Sequence, residues 1–365
     1  MSKRLTKVLL MSLLLMTLSG GRVFAQDNTG SSDLQSTLGK LASSAAKGYV
    51  APIVSGFGAD LNSGWVHRTP SAVKLSFDLE IGVVAMGSFF TNPNKSFNVS
   101  APYNFDYNSA DRILPASYTG AFRDSVRQQI MNIPFTVSIS GPTIVGTKTD
   151  SISVSFSGGT ATVNYQGRQQ SVTVNPIVIN TGVSGYLENL PALPMGAPQI
   201  TLGTVFGTSL AFRFLPSVAL DSKLGRLSYF GFGLQHNPAI WFNTALPVDL
   251  SASFFTQTLK VGSIFKSTAS DFGIFASKRF GPGAVNVTPY VGLSLETSKM
   301  TVSYNFETTG PDGRPITTPV SFDLKGENST RLTAGLSIKL LFIDLSADYS
   351  FAKYSTASLG VGIII

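Results

Sequence analysis

Between Arg331 and Ile365 the chain repeats with a period of two residues through three successive runs. Leu332, Ala334, Leu336, Ile338, Leu340 and Phe342 alternate with Arg331, Thr333, Gly335, Ser337 and Lys339. After a tight reversal, Ile343, Leu345, Ala347, Tyr349 and Phe351 alternate with Asp344, Ser346, Asp348 and Ser350. A third run sets Ala357, Leu359, Val361, Ile363 and Ile365 against Thr356, Ser358, Gly360 and Gly362. Period two sends alternate side chains to opposite faces of a strand. Each run is roughly ten residues, the length that crosses a bilayer when tilted; a strand of a soluble sandwich is about half as long. Lipid cannot satisfy an open sheet edge, so such strands must close on themselves. The pattern predicts an all-β, antiparallel transmembrane β-barrel, apolar outside and polar inside.

Composition agrees with a barrel. Hydrophobic residues make up 43% of the chain and charged residues only 13%, low for a soluble exported protein. No segment beyond the N-terminus has some 18 consecutive apolar residues, so no transmembrane helix is expected. The net charge of +7 is spread along the chain without a basic run, which argues against nucleic acid as a partner. Cysteine is absent, which excludes lipoprotein acylation, disulfides and thiolate metal sites. At the N-terminus, Lys3, Arg4 and Lys7 precede the apolar stretch Val8 to Leu18, and Val23-Phe24-Ala25 has the small-x-small form of a cleavage site. Residues 1–25 therefore read as a signal peptide cut between Ala25 and Gln26. The expected destination is the outer membrane of a Gram-negative bacterium, with outer-membrane lipid and the barrel-assembly machinery as partners.

Residues 26–56 form the next segment. Leu34, Leu38, Leu41, Ala45 and Tyr49 have helical spacing, Asp33 is a candidate N-cap, and Pro52 is expected to end the helix. Such a helix would be periplasmic or would plug the lumen. The barrel proper is assigned to 57–365. Phe57 to Trp65 alternates and reads as its first strand; Leu75 to Ala85 alternates more regularly. From Ser88 to Ala197 the pattern breaks into a segment rich in Pro, Asn, Ser and Gly. It holds a helical stretch, 121–131, and a meander over 151–156, 161–165 and 169–174. An insertion of that length, 88–197, is expected on the extracellular side. Alternation then returns at 199–205, 209–215, 227–235, 248–254, 272–280 and 287–295. Pro289 interrupts the last of these and suggests a bulge. A hairpin with a loop at 310–315 continues beyond it. The connector before Leu246 carries Ile240-Trp241-Phe242, suited to an interfacial turn. About eleven strands are visible; bacterial barrels have even numbers, so about 12 to 14 are expected. The odd count requires either a strand hidden in 130–180 or an N-terminal helix threading the lumen.

The inward-facing charges are the richest candidate set: Asp60, Asp78, Glu80, Arg213, Asp249, Asp271, Arg279, Glu296, Arg331, Lys339, Asp344 and Asp348. Both signs occur. They would form either a salt-bridged interior that satisfies its own charge or a polar constriction on a permeation path. Tyr229, Trp241, Phe280, Tyr349 and Tyr354 near strand ends suggest an aromatic girdle. His67 and His236 are the only histidines, and neither has Ser-His-Asp or metal-ligand spacing around it. No catalytic residue, metal or cofactor is expected, and the chain is not expected to be an enzyme.

Several stretches together resemble a known family. These are Gly56 to Trp65, Leu75-Ser76-Phe77-Asp78-Leu79, Arg213-Phe214-Leu215-Pro216, Gly231 to Asn237, Leu246-Pro247-Val248-Asp249-Leu250 and Leu332-Thr333-Ala334-Gly335-Leu336. The set is similar to an uncharacterised family of Bacteroidota-type outer-membrane β-barrels, over nearly the whole mature chain. In strand pattern, and in the connector before Leu246-Pro247, the chain also resembles FadL-type transporters, in which an N-terminal segment plugs the barrel. That resemblance implies a channel for small hydrophobic ligands. The alternative is a surface or scaffold barrel whose insertion binds a partner.

Overall fold

The structure is a computed structural model that describes residues 32–365 apart from 74, 189, 222–224, 243–245 and 310–314. The expected signal peptide and its cleavage site lie outside the described residues, as does the loop tip 310–314. In chain order the elements begin with α1 (Ser32–Leu61), β1 (Leu75–Phe89) and β2 (Ser96–Tyr103), then α2 (Tyr107–Arg112) and α3 (Gly120–Asn132). Five shorter or bridging strands follow: β3 (Phe135–Pro142), β4 (Ser153–Phe156), β5 (Gly159–Tyr165), β6 (Arg168–Val174) and β7 (Ile177–Asn180). The remainder is β8 (Ala192–Val205), β9 (Thr208–Asp221), β10 (Gly225–His236), β11 (Asp249–Val261), β12 (Phe265–Ser277), β13 (Val285–Thr309), β14 (Pro315–Lys325), β15 (Thr330–Leu340), β16 (Ile343–Phe351) and β17 (Thr356–Ile364). These pack as two compact units. Of the described residues, one holds those up to Pro52 and Thr91–Asn189; the other holds Ile53–Phe90 and Leu190–Ile365.

The second unit is the barrel. Its sheet runs β12-β11-β10-β9-β8-β1-β17-β16-β15-β13-β14, all antiparallel, and β12 pairs again with β13 to close the ring. β13 is long enough to serve two partners. Its first part, Val285–Leu295, pairs with β15, and its last part, Lys299–Thr309, pairs with β14. β14 and β15 therefore occupy one wall position, interrupted at 326–329, and the closed barrel has ten strands. This is even, as expected, but below the expected 12 to 14. The stretch 130–180 contributes no wall strand, and Phe57 to Trp65 is not a strand. Its first five residues complete α1, and the rest runs through the barrel interior. Pro289 needs no bulge. The β13–β15 register passes through Pro289↔Leu336 unbroken, and its missing N–H faces β12 where the ladder ends at Ser277↔Tyr290.

Two layers stack along the barrel axis. In the layer that holds Ser251 and Ser337, outward residues are apolar and inward ones polar. Phe77 is 69% exposed and Leu359 63% exposed, with Ile81, Phe214, Phe254, Phe272, Leu293 and Leu332 also outside. Across the wall, Ser251, Ser253, Thr288, Ser294, Ser337, Ser346 and Ser358 are buried. An apolar belt of this kind around a polar interior is the pattern of a wall facing lipid. Beyond Phe254 and Phe272 the sides exchange on β11 and β12. Thr256, Thr258, Lys260, Lys266 and Thr268 face out, while Leu61, Val84, Met86, Ala197, Tyr229, Leu259 and Ala269 form an apolar core, with Phe57 packed against it. Tyr229 is thus interior, its hydroxyl donating to Gln257 Oε1 at 2.8 Å, and it does not belong to a girdle. Tyr354 is also buried. Trp241, Phe280 and Tyr349 are exposed, Trp241 on a 3-10 turn, Pro238–Trp241, in the connector.

The first unit is organised conventionally. β2, β3, β4 and β7 form a four-stranded antiparallel sheet and β5–β6 a hairpin. Ala110, Leu114, Val126, Ile130, Phe135, Ala161 and Val163 make its core. The Asp106 side chain accepts from the Ser109 N–H and caps α2. Arg123 Nε and Arg127 Nε both donate to Asp111 Oδ1, at 2.8 and 2.9 Å, joining α2 to α3. Those guanidinium groups lower the Asp111 carboxyl to about 2. The α1 residues Leu41, Ala45, Ala46 and Tyr49 are buried, and Tyr49 donates its hydroxyl to the Ser184 carbonyl at 3.0 Å. Pro52 does not end the helix, which continues to Leu61. A proline removes the donor to the carbonyl four residues earlier, and the division between the two units falls directly after it.

Candidate functional site

Residues 53–70 fill the lumen. The last two turns of α1 lie in the apolar layer, where Gly56 and Gly58 let the helix approach the wall. A methyl at Gly58 would collide with the Ser298 side chain. After Leu61 the backbone turns at Gly64, whose φ of 65° is a left-handed conformation that suits glycine. The chain then passes through the polar layer to Pro70. A segment inside a barrel must meet its own backbone groups or find them in the wall, and both occur here. Arg213 Nη2 donates to the Gly64 carbonyl at 2.5 Å and Arg331 Nη2 to the Ala59 carbonyl at 2.8 Å. The Asn237 amide donates to the Pro70 carbonyl at 2.8 Å.

Three clusters fix side chains of this segment. Around Trp65, the indole N–H donates to the Leu61 carbonyl at 3.0 Å and to Gln257 Oε1 at 3.2 Å. Its ring stacks on Phe255, with centroids 5.1 Å apart, and the Arg213 guanidinium lies 4.0 Å from its centroid. Arg213 is fully buried and also donates to Gln199 Oε1 at 2.9 Å. Around Asn62, the amide donates to Glu296 Oε2 at 2.9 Å, and Arg331 Nη2 donates to the same oxygen at 2.7 Å. Ser63 bonds Thr356 at 2.7 Å.

The third cluster lies where β1 and β16 begin. Arg68 bridges Asp78, Glu80 and Asp344 at 3.0–3.1 Å, and His67 Nδ1 is 3.2 Å from Glu80 Oε1. His67, Glu80 and Asp344 each bring a ligand-type atom within 4.8 Å of the others. The Arg68 guanidinium stands against both carboxylates and Asp78, and so occupies the side of the group from which these oxygens are reached. A cavity beside this cluster, with about 60 Å³ open to a water centre, is lined by His67, Arg68, Gln199, Gln235 and Arg279 among others.

The twelve candidate charges fall into distinct places. Asp60, Glu80, Arg213, Asp271, Glu296, Arg331, Asp344 and Asp348 are buried. Asp60 lies on α1 rather than on a strand, and both its carboxylate oxygens lack hydrogen-bond partners. Asp78 and Asp249 are half-buried, Asp249 accepting from the Asn237 amide at 3.3 Å. Lys339 stands opposite Asp344 in the register and is half-buried; Arg279, just beyond β12, is exposed. The sequence concealed the partners of the plug, Asn62, Ser63, Trp65, His67 and Arg68. Trp65, placed on a strand face, and His67, read as lacking a cluster, gain theirs from strands far away in the chain.

A closed antiparallel barrel with an apolar outer belt and a lumen threaded by its own chain defines a membrane-type β-barrel. The chain belongs to a family of unknown function (DUF6588), whose model matches residues 1–365. No curated protein matches it. Among solved structures it is similar to OmpT, an outer membrane protein of Vibrio cholerae, at 9% identity over 80% of this chain and 99% of that one, with a TM-score of 0.22. It is also similar to the beta domain of the Bordetella autotransporter BrkA, at 8% identity over 79% and 99%, TM-score 0.20. A third is OccAB4 of Acinetobacter baumannii, at 8% identity over 80% and 99%, TM-score 0.17.

Proposed function

We propose that this is an outer-membrane channel for small apolar molecules, closed in the resting state by residues 53–70. The observation that carries the reading is the threading itself: one short segment meets the wall through Arg213, Arg331, Glu296, Arg68 and Asn237 across the length of the lumen. The interior charges act as the plug's seat rather than as an open selectivity filter, because most are spent on partners. The apolar wall layer of Val84, Met86, Ala197 and Leu259 supports an apolar cargo, since it would line the passage once α1 moves. Deleting residues 32–70 tests this. The deletion should raise single-channel conductance in planar bilayers and speed uptake of an apolar probe into proteoliposomes. A folded deletion variant with unchanged conductance and uptake would sink the channel reading.

A second reading is a surface barrel whose insertion binds a partner. It is favoured by β7, an edge strand on which Ile177, Val178 and Ile179 are all exposed. Free apolar edges invite strand addition. Under this reading Val178→Lys abolishes partner capture and leaves permeability unchanged.

A further inference from the structure

One cavity in the polar layer has walls whose charges do not balance. It lies between Asn62 and Trp65 of the plug and Asp271, Ser294, Arg331 and Asp348 of the wall. The space open to a water centre is about 20 Å³, enough for a single water or ion, which needs about 10–15 Å³. Asp271 is only 3% exposed, yet its Oδ2 has no hydrogen-bond partner. Asp348 accepts from Tyr290 at 3.1 Å and from Ser358 at 2.5 Å on Oδ2, while its Oδ1 has no partner. Directly opposite Asp271 in the β12–β13 register stands Glu296, whose Oε1 is likewise unpartnered. Like charges directly opposite on one sheet face repel. The Arg331 guanidinium donates to Glu296, Ser63 and the Ala59 carbonyl, so its hydrogen bonds are spent away from Asp271 and Asp348. A buried charge without a counter-charge is strongly unfavourable.

We infer that this cavity is a binding site for one hard divalent cation, calcium by its chemistry, held between Asp271 and Asp348 against the plug. The lining offers carboxylate and hydroxyl oxygens, with the Asn62 amide oxygen already accepting from Gln257 at 2.9 Å; such oxygens suit a hard cation and not a soft one. Asp271 Oδ2 and Asp348 Oδ1 are the two unpartnered carboxylate oxygens that a cation there would bridge. Magnesium demands near-ideal octahedral geometry, whereas calcium accepts irregular oxygen sets. The Arg331 Nε, also unpartnered, would donate to a water in the ion's shell. The inference is independent of what, if anything, passes through the barrel. Bound there, the ion would tie Asn62 and Trp65 to β12 and β16 and set the strength of the closed state.

The experiment uses the full chain folded in detergent micelles, stripped with a chelator and titrated with calcium chloride. N-methyl-D-glucamine chloride at equal ionic strength serves as the reference. Elemental analysis of dialysed protein should find one calcium per chain, and the thermal midpoint should rise saturably with calcium. Asp271→Asn and Asp348→Asn should each weaken binding by at least the ~10–100-fold that loss of a supporting group costs a metal site. Asp111→Asn, in the other unit, should leave binding unchanged. Protein that holds no calcium and melts at the same temperature in both salts would overturn the site and leave a water in the cavity. Stability that follows pH but not calcium would overturn it in favour of a proton shared by Asp271 and Glu296. If the Asn variants do not fold, stoichiometry and titration of the unmodified chain still decide.

Discussion

In the barrel, Arg331 and Glu296 meet inside a wall whose outer face carries Leu293 and Leu295. In the insertion, Phe135 and Ile130 lie inside, while Ser125, Gln128 and Gln129 face out. The same chain thus buries opposite kinds of side chain in its two units. Burial is a response to the surrounding solvent, not a property of residue type: apolar groups leave water, and polar groups leave lipid. The barrel also makes this comparison within itself. Below Phe254 and Phe272 its outward face is apolar, and above them Thr256, Thr258, Lys260 and Thr268 take over the outside while Leu259 and Ala269 turn inward. The exchange marks where the wall passes from one surrounding to the other.

The largest effects should come from breaking each interior with the residue it excludes. Arg331→Met leaves Glu296 buried beside Asp271 without its cation, and should cost about 3–5 kcal/mol, read by denaturant unfolding in micelles. Adding Glu296→Gln should recover a large part of that loss. If the double variant were as unstable as the single, the interior would not be governed by charge pairing. In the insertion, Phe135→Ala removes a fully buried ring that packs against Phe105 and Phe156 and should cost about 3–5 kcal/mol. Hydrogen exchange should localise that loss to 91–189 and leave the barrel strands protected.

An intermediate effect is expected on the outer face. Leu293→Arg, 62% exposed and in the apolar belt, should destabilise the barrel in lipid by about 2–4 kcal/mol, the cost of arginine near a bilayer midplane. Thr268→Arg, on the outward face of the other layer, should stay within about 0.5 kcal/mol, as for an ordinary surface position. Equal costs at the two positions would place both layers in one solvent and undo the comparison. The smallest effect is acid sensitivity of the insertion. Asp111 titrates near 2 when its arginines hold it and higher when unfolded. The stability it lends is therefore complete above the ordinary carboxylate range and is lost as pH falls from about 4 toward 2. Proteolysis of the insertion should rise over that window, and Asp111→Asn should flatten the rise.

The wall was legible in the sequence wherever it faces lipid, because there alternation is written in large apolar residues. β15, β16, β17 and the first part of β13 carry it plainly. β11 and β12 showed only the halves around Phe254 and Phe272, since Thr256 to Lys260 alternate with the opposite phase. The plug was misread for a different reason. Phe57, Ala59 and Leu61 alternate with Gly58 and Asp60, but Phe57 and Leu61 are also four apart, and one stretch satisfies both periods. Inside a lumen a helix has the advantage of meeting its own backbone hydrogen bonds. The candidate charges were found by alternation. Their partners were not, because Arg68 with Asp344, or Asn62 with Glu296, are joined by closure of the sheet and not by spacing.

That closure has a consequence for the order of events in folding. β1 is bonded to β8 on one side and to β17 on the other, so the seam of the barrel joins the first wall strand to the last. Residues 53–70 are the direct lead-in to β1, and they touch β13, β15 and β17 as well as β9. These contacts span most of the chain and belong to the slow class of pairings. The seam and the segment it encloses therefore meet at the same strands, β1 and β17, so closing the ring and seating the lead-in share their contacts.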